Sequence, residues 1–274
     1  MTCLIRTMTA ADVAATAEAI RRADWGDRTA FLRFVVGHPA CHPIVALDDE
    51  GVAGTGLGTV NGSVGWVGLI WVRPDVRGRG LGRALTERVV ADLEAGGCPT
   101  QILVATEAGQ GLYARLGFRE LTRDHVLVAA GLPAADPADP WLRLARPADA
   151  DAIETLDRQV SGEDRRHLLA AATDGWVAGR GDEVRAFALQ APAGGVGVVA
   201  PDPDDGLCLL TLRRRLVGPE GRARANVLEE NRAGLERLVA DGWREVWSGA
   251  RMLRGAAPDW QPTAIWSVFG HAIG

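Results

Sequence analysis

The sequence predicts an α/β (α+β) chain of two tandem domains, each a mixed and mostly antiparallel sheet flanked by helices, and three observations carry that prediction. At roughly 150 residues per domain, the chain's 274 residues lean towards two compact domains rather than one. Residues 131–140 set Pro133, Pro137 and Pro140 among small residues and break every periodic pattern, as linkers do. Landmarks then recur beyond that break, with Pro201 answering Pro74 and Asp241, Gly242 and Trp243 answering Leu116, Gly117 and Phe118. The expected division is a first domain over 1–130, a linker over 131–140 and a second, related domain over 141–274.

In the first domain a short apolar start reaches Ile5, and an alanine-rich helix begins near Thr9, where Asp12 three residues later suits an N-terminal cap. A second helix is expected from about Asp27 to Val36. The period then shortens to that of strands over Pro43 to Leu47, Val52 to Val60 and Val64 to Val72, with the Asn61 and Gly62 pair marking a tight hairpin, so these runs form an antiparallel meander. Leu81, Leu85, Val89 and Leu93 place an apolar stripe on a helix from Leu81 to about Glu94, which Gly96 and Gly97 end. Gln101 to Ala105 reads as a buried strand, Gln110 to Leu116 as a short helix closed by Gly117, and Phe118 to Val128 as the last strand. Beyond the linker the order repeats less distinctly, with a strand at Leu142 to Leu144, helices near Ala148 to Val160 and Glu163 to Ala172, and strands near Trp176, Arg185 to Leu189 and Val196 to Ala200.

Composition removes several functions. Hydrophobic residues at 47% and charged residues at 24% describe a globular chain and exclude disorder throughout. All 30 basic residues are arginine, so there is no lysine for a Schiff base or for a Walker-type phosphate loop. A formal charge of -5 argues against a nucleic-acid or membrane-surface role. Cys3, Cys41, Cys98 and Cys208 have neither disulfide-framework nor zinc spacing, which fits reduced thiols in a cytoplasm. His38 and His42 flank Cys41 without a further ligand nearby, so no metal is expected. The longest apolar run, Val64 to Val72, is too short to span a bilayer.

The chemistry concentrates between that apolar strand and the helix that begins at Leu81. Gly78, Gly80 and Gly82 expose backbone N–H groups where a Cβ would block a ligand, and the loop opens into a helix N-terminus, which favours a phosphate. Residues 73–83 carry Arg73, Arg77, Arg79 and Arg83 against Asp75 alone, a local charge of +3. A dinucleotide-binding reading fails, because the last glycine of that fingerprint would fall on Arg83.

Arg77, Gly78, Arg79, Gly80, Leu81 and Gly82 match the pattern [QR]-x-x-G-x-[GA]. With Val72 and Pro74 before them they resemble the pyrophosphate loop of the GNAT acyl-CoA-dependent N-acetyltransferases. Leu112, Tyr113, Gly117 and Phe118 resemble the second motif of that superfamily, in the expected order, and the resemblance covers nearly all of residues 1–130. It implies acetyl-CoA as cosubstrate and a primary amine, on a small molecule or a peptide, as acceptor. Cofactor contacts are implied at Ile70, Trp71, Val72, Arg77, Gly78, Arg79, Gly80, Leu81, Gly82 and Arg83. Tyr113, the one tyrosine in the chain, is implied as the general acid that protonates the departing thiolate. A backbone N–H between Ile70 and Val72 is implied as the oxyanion donor, on a strand splayed from its neighbour. Thr106 stands where the family often has asparagine and Gly109 where alanine is usual, and Glu107 is a weak candidate for the general base.

The counterpart of the phosphate loop in the second domain, residues 200–210, holds Asp202, Asp204 and Asp205 and no base, a charge of -3, and Leu238 falls where Tyr113 stands. The second copy is therefore expected to be degenerate and without chemistry. The alternative to an enzyme is a non-catalytic acyl-CoA sensor or scaffold, and tandem copies are also compatible with a homodimer.

Overall fold

The computed structural model describes residues 3–23, 25–135, 140–192 and 194–274, so residues 136–139 of the expected linker lie outside the described residues. In the amino-terminal half the elements are β1 (Leu4–Thr7), α1 (Val13–Arg22), α2 (Thr29–Gly37), β2 (Cys41–Asp48), β3 (Gly51–Asn61), β4 (Val64–Val72), α3 (Leu81–Ala95), β5 (Thr100–Ala105), α4 (Glu107–Arg115) and β6 (Arg119–Ala130). The carboxy-terminal half adds β7 (Leu142–Leu144), α5 (Ala150–Ser161), α6 (Arg166–Ala170), β8 (Asp174–Ala178), β9 (Ala186–Gln190), β10 (Val196–Val199), α7 (Pro203–Val217), β11 (Arg222–Leu228), α8 (Arg232–Ala240), β12 (Arg244–Arg254) and β13 (Ile265–Ser267).

Local chemistry accounts for the opening of the first half. The Asp12 carboxylate accepts hydrogen bonds from the Thr9 N–H and hydroxyl, both at 2.8 Å, and pairs with Arg6 at 2.7 Å, so the cap also ties α1 to β1. The β2, β3 and β4 meander turns at Gly62, whose φ of 69° suits the Asn-Gly hairpin. Leu85, Val89 and Leu93 of α3 are buried against Ile44, Val67 and Leu103 of the sheet, as the four-residue stripe predicts.

The described residues form two sheets, and strands from both halves share the larger one. Its order is β1-β2-β3-β4-β5-β12-β6-β11, and the second sheet runs β13-β10-β9-β8-β7. β12 lies between β5 and β6, antiparallel to both, while β6 pairs with β11 on its other side. Each half thus lends its final long strand to the other, and β4 with β5 is the parallel pair within a mostly antiparallel sheet.

Buried polar groups seal the join. Asp124 of β6 accepts two hydrogen bonds from Arg251 of β12, at 2.9 and 2.8 Å, and a third from Asn226 of β11 at 2.7 Å. Nearer the start of β4, Glu163 accepts from Asn61 at 2.6 Å and from the Trp66 indole at 2.9 Å, and burial raises its carboxyl above the ordinary range. Glu163 and Arg165 enter this buried cluster, so the expected helix over Glu163 to Ala172 is confined to Arg166–Ala170.

Candidate active site

The loop that precedes α3 leaves β4 through a 3-10 turn at Pro74–Val76, which Pro74 starts with its preset φ. Gly78 and Gly80 adopt φ of 75° and 87°, left-handed values that favour glycine, and a Cβ at either would meet nothing within 4 Å. Gly80 is the N-cap of α3, so the free N–H groups of the first helical turn open beside that space. Gly82 packs closer, where a Cβ would lie 3.6 Å from Val72 and 3.7 Å from Leu112.

The arginines of this stretch divide. Arg73 is bound by Asp48 at 2.8 Å, Glu50 at 3.0 Å and Asp75 at 2.7 Å, so its charge serves the base of the loop rather than its mouth. Arg83 pairs with Glu87 at 2.8 Å, and Arg77 donates to the Val72 carbonyl at 2.9 Å, bracing the turn. The +3 read from residues 73–83 is therefore partly offset by carboxylates outside the segment, Asp48, Glu50 and Glu87.

β4 and β5 diverge. They pair only at Val64 with Thr100, Gly65 with Gln101 and Trp66 with Ile102, and from there to Val72 and Ala105 no bridge joins them. The cause lies on the other edge of β4. Against β3 the register jumps between Thr55 and Leu57, and the extra residue on β4 puts Leu69 at φ 52°, a left-handed conformation strained for a leucine. The Thr55 hydroxyl donates to the Leu69 carbonyl at 2.7 Å and pins the bulge. Such a bulge bends its strand, and the bend carries residues 69–72 away from β5. Apolar alternation locates β4 but gives no sign of the bulge, so Thr55, Gly68 and Leu69 were invisible as site residues.

Side chains sort by face. Ile70, Val72, Leu81 and Tyr113 pack in one apolar cluster on the α3 and α4 side, whereas Trp71 is buried on the opposite side with α1 and α2. Trp71 can therefore serve a ligand in the gap only through its backbone. Tyr113 lies edge-on to Phe118 with ring centroids 6.1 Å apart, and burial pushes its phenol up to about 12. Gly109, one turn earlier, explains its own departure from alanine, because a Cβ there would stand 3.0 Å from the Tyr113 ring. Thr106 is the N-cap residue of α4, and Glu107 is exposed in its first turn.

The corresponding region of the second half is closed. Residues 200–202 alone join β10 to α7, so most of the acidic stretch read as a loop is the first turns of a helix capped by Asp202, with the charge at its N-terminus where acids stabilise it. Trp266 of β13 packs directly on Gly206 of α7, its indole donates to the Ala200 carbonyl at 3.1 Å, and β13 lies against both β10 and β11. Leu238 is fully buried in the core of that half.

Among the described residues no His, Cys, Asp and Glu cluster could hold a metal, and no helix is long and apolar enough to cross a membrane.

Residues 10–118 match the family model of the acetyltransferase (GNAT) family. Among solved structures, a putative acetyltransferase from Pyrococcus horikoshii is similar over 99% of this chain and 96% of its own, at 19% identity and a TM-score of 0.84. A tandem GNAT protein from the clavulanic acid biosynthesis pathway aligns over 94% of this chain and 99% of its own, at 12% identity and a TM-score of 0.63. A GCN5-related N-acetyltransferase from Sphaerobacter thermophilus aligns over 92% and 95%, at 17% identity and a TM-score of 0.60.

Proposed function

We propose that the amino-terminal half, whose residues 10–118 match the model of the GNAT acetyltransferase family within a chain that has the fold of a tandem GNAT protein, transfers an acetyl group from acetyl-CoA to a primary amine. The observation that carries this reading is the continuity of three features. An open glycine turn at a helix N-terminus leads to the gap between β4 and β5, and Tyr113 packs in the cluster that holds Ile70, Val72 and Leu81.

In this reading the backbone amides of residues 77–83 hold the diphosphate, with Gly78 and Gly80 leaving the room it needs. Beyond Trp66, β4 has no partner on the β5 side, so an N–H between Ile70 and Val72 is free to stabilise the charge that develops on the carbonyl oxygen. Tyr113 donates its proton to the departing sulfur, and its raised pKa keeps that proton in place at neutral pH. Transfer is direct, with the amine attacking the thioester carbon and no acyl group passing through the protein. The carboxy-terminal half does no chemistry of its own, a view supported by its shortened, acidic counterpart of the loop and by Trp266 on Gly206. A cytoplasmic setting belongs to the same reading and is consistent with four free cysteines.

Calorimetric titration with acetyl-CoA tests the first step. Binding weakened at least tenfold by Gly80→Glu is expected, and no binding by the unaltered protein would refute the assignment. Thiol release with a panel of amines tests the second step. Tyr113→Phe should lower turnover by about 10²–10⁴ with affinity for acetyl-CoA retained. Undiminished turnover would remove Tyr113 as the acid, and binding without turnover on any amine would favour the sensor reading.

A further inference from the structure

We propose that the open end of the gap between β4 and β5 is completed by an anion-binding rim drawn from both halves, so that the acceptor is a primary amine bearing a carboxylate or phosphate. This rests on the acetyl-transfer reading and narrows its acceptor.

Strand register places the rim. Residues paired across antiparallel strands point to one face, and along β6 that face takes Asp124, Val126 and Val128. Val128 pairs with Arg224 of β11 on one side and Arg244 of β12 on the other, and Val126 pairs likewise with Asn226 and Trp247. β12 meets the last residue of β5 at Ala250, so Trp247 and Arg244 extend past the end of β5, beyond the mouth of the gap. The Trp247 indole folds back over Gly249, whose missing side chain leaves it room beside the Ala105 carbonyl.

The other lip is reached by the segment at 270–274. Ala272 sits directly on Gly68 of β4, next to the strained Leu69, and its carbonyl accepts from the Thr59 hydroxyl at 3.0 Å. His271 turns the opposite way, with its ring 5.5 Å from that of Trp247 and its Nε2 bonded to Asn226 at 2.6 Å. One short segment therefore touches both sides of the gap. Phe31 and Phe34 of α2 pack in the same apolar cluster as Leu69 and Ala272, and Arg28 stands one turn before Phe31, immediately ahead of α2.

Charge gives the rim its chemistry. Arg28, Arg222, Arg224 and Arg244 are exposed, and among the described residues none has a carboxylate partner. Many arginines elsewhere on the chain are ion-paired, as at Arg73, Arg143, Arg165, Arg214 and Arg237. The charges on the rim also repel one another. Arg224 is held below its ordinary value by the protein around it and by Arg28, and His271 by burial and by the charges of Arg251 and Arg224, against the opposing pull of Asp124. An anion seated there relieves that repulsion, and a chain of net charge -5 leaves this concentration of cations without another evident purpose. Arg224 and Arg244 lie two ladder positions beyond Trp247 in the β6 register, roughly 7 Å further along the strand direction.

The test is thiol release by the full chain with acetyl-CoA and matched acceptors. These are the ω-amino acids from glycine to 6-aminohexanoate against their amides, and glucosamine against glucosamine 6-phosphate, so that the two arms separate carboxylate from phosphate. The anionic member of at least one pair should react at least tenfold faster. Arg224→Ala and Arg28→Ala should each raise KM for it by about ten- to hundredfold, with acetyl-CoA affinity unchanged. Equal or better turnover of the neutral members, no turnover of any pair by protein that binds acetyl-CoA, or a preference that survives both substitutions would overturn the proposal. Loss of acetyl-CoA binding by the unaltered protein would instead refute the transfer reading on which it rests.

Discussion

Replacing Asp124 by leucine should destabilise the whole chain, because it strips the partner from a charge that cannot reach water. The side chains of Asp124 and Arg251 are 0% and 2% exposed. The guanidinium lies 5.1 Å from the Trp66 ring centroid and 5.5 Å from that of Trp260. Burial alone would push the Asp124 carboxyl up, yet the charge and hydrogen bonds of Arg251 outweigh it and hold the carboxyl below its usual range. Breaking a buried pair from one side costs about 3–5 kcal/mol, and at about 2–4 °C per kcal/mol the melting temperature of Asp124→Leu should fall by about 6–20 °C. Arg251→Met should cost a similar amount, and the double variant should recover most of the loss, since a buried pair and an apolar pair of like volume are often close in stability. Urea unfolding of the four proteins closes the cycle. Strict additivity of the two single substitutions, or a cost under about 1 kcal/mol for Asp124→Leu, would refute the reasoning. The pair contributes fully above the unfolded value of about 3.9, and its contribution is lost as pH falls through the lower folded value.

Three further outcomes follow from the geometry. Gly68→Ala would drive a Cβ into Ala272 beside the Leu69 bulge, so it should cost about 1–3 kcal/mol by thermal melting and lower turnover together; an unchanged melting temperature would show that the tail yields freely. His167 is held at about 4, by burial first and then by His38. Its unfolded form therefore takes up a proton first, and stability should decline as pH drops from about 6.5 towards 4. In His167→Gln that decline should be shallower, and identical slopes would refute the assignment. The phenol of Tyr113, raised to about 12, should cause no loss of rate between pH 7 and 10, so an alkaline limb near pH 10 that disappears in Tyr113→Phe would contradict its burial.

Periodicity made much of the fold legible, and its failures have physical causes. The apolar run located β4 at Val64–Val72, and the strand expected near Leu142 to Leu144 is β7 (Leu142–Leu144). α4 starts at Glu107 rather than near Gln110: Thr106 stands at the N-cap position in extended backbone with its carbonyl accepting from the Gly109 and Gln110 N–H groups, and Gly109 fits where the Tyr113 ring needs space. Alternation states which way a side chain points and not which strand lies alongside, so nothing in residues 244–254 announced that β12 would enter the sheet of the other half. The glycine loop could be read from its spacing and Tyr113 singled out from the motif resemblance because each belongs to a continuous segment. The Trp247 and His271 pair and the arginine rim could not, since the pair joins two separate elements 24 positions apart and the rim sets Arg28 beside arginines some two hundred positions later in the chain.

The exchange of β6 and β12 also dictates the order in which this molecule can be made. When Ala130 leaves the ribosome, β5 has no neighbour on its far side, and the strand that will cover it has yet to be translated. At about 5–20 residues per second, synthesis from there to Arg254 leaves an unpaired edge for roughly 6–25 s. A gene cut after Ala130 would keep the whole glycine loop and Tyr113 yet should yield insoluble protein, and supplying residues 141–274 as a second polypeptide during expression is the natural rescue.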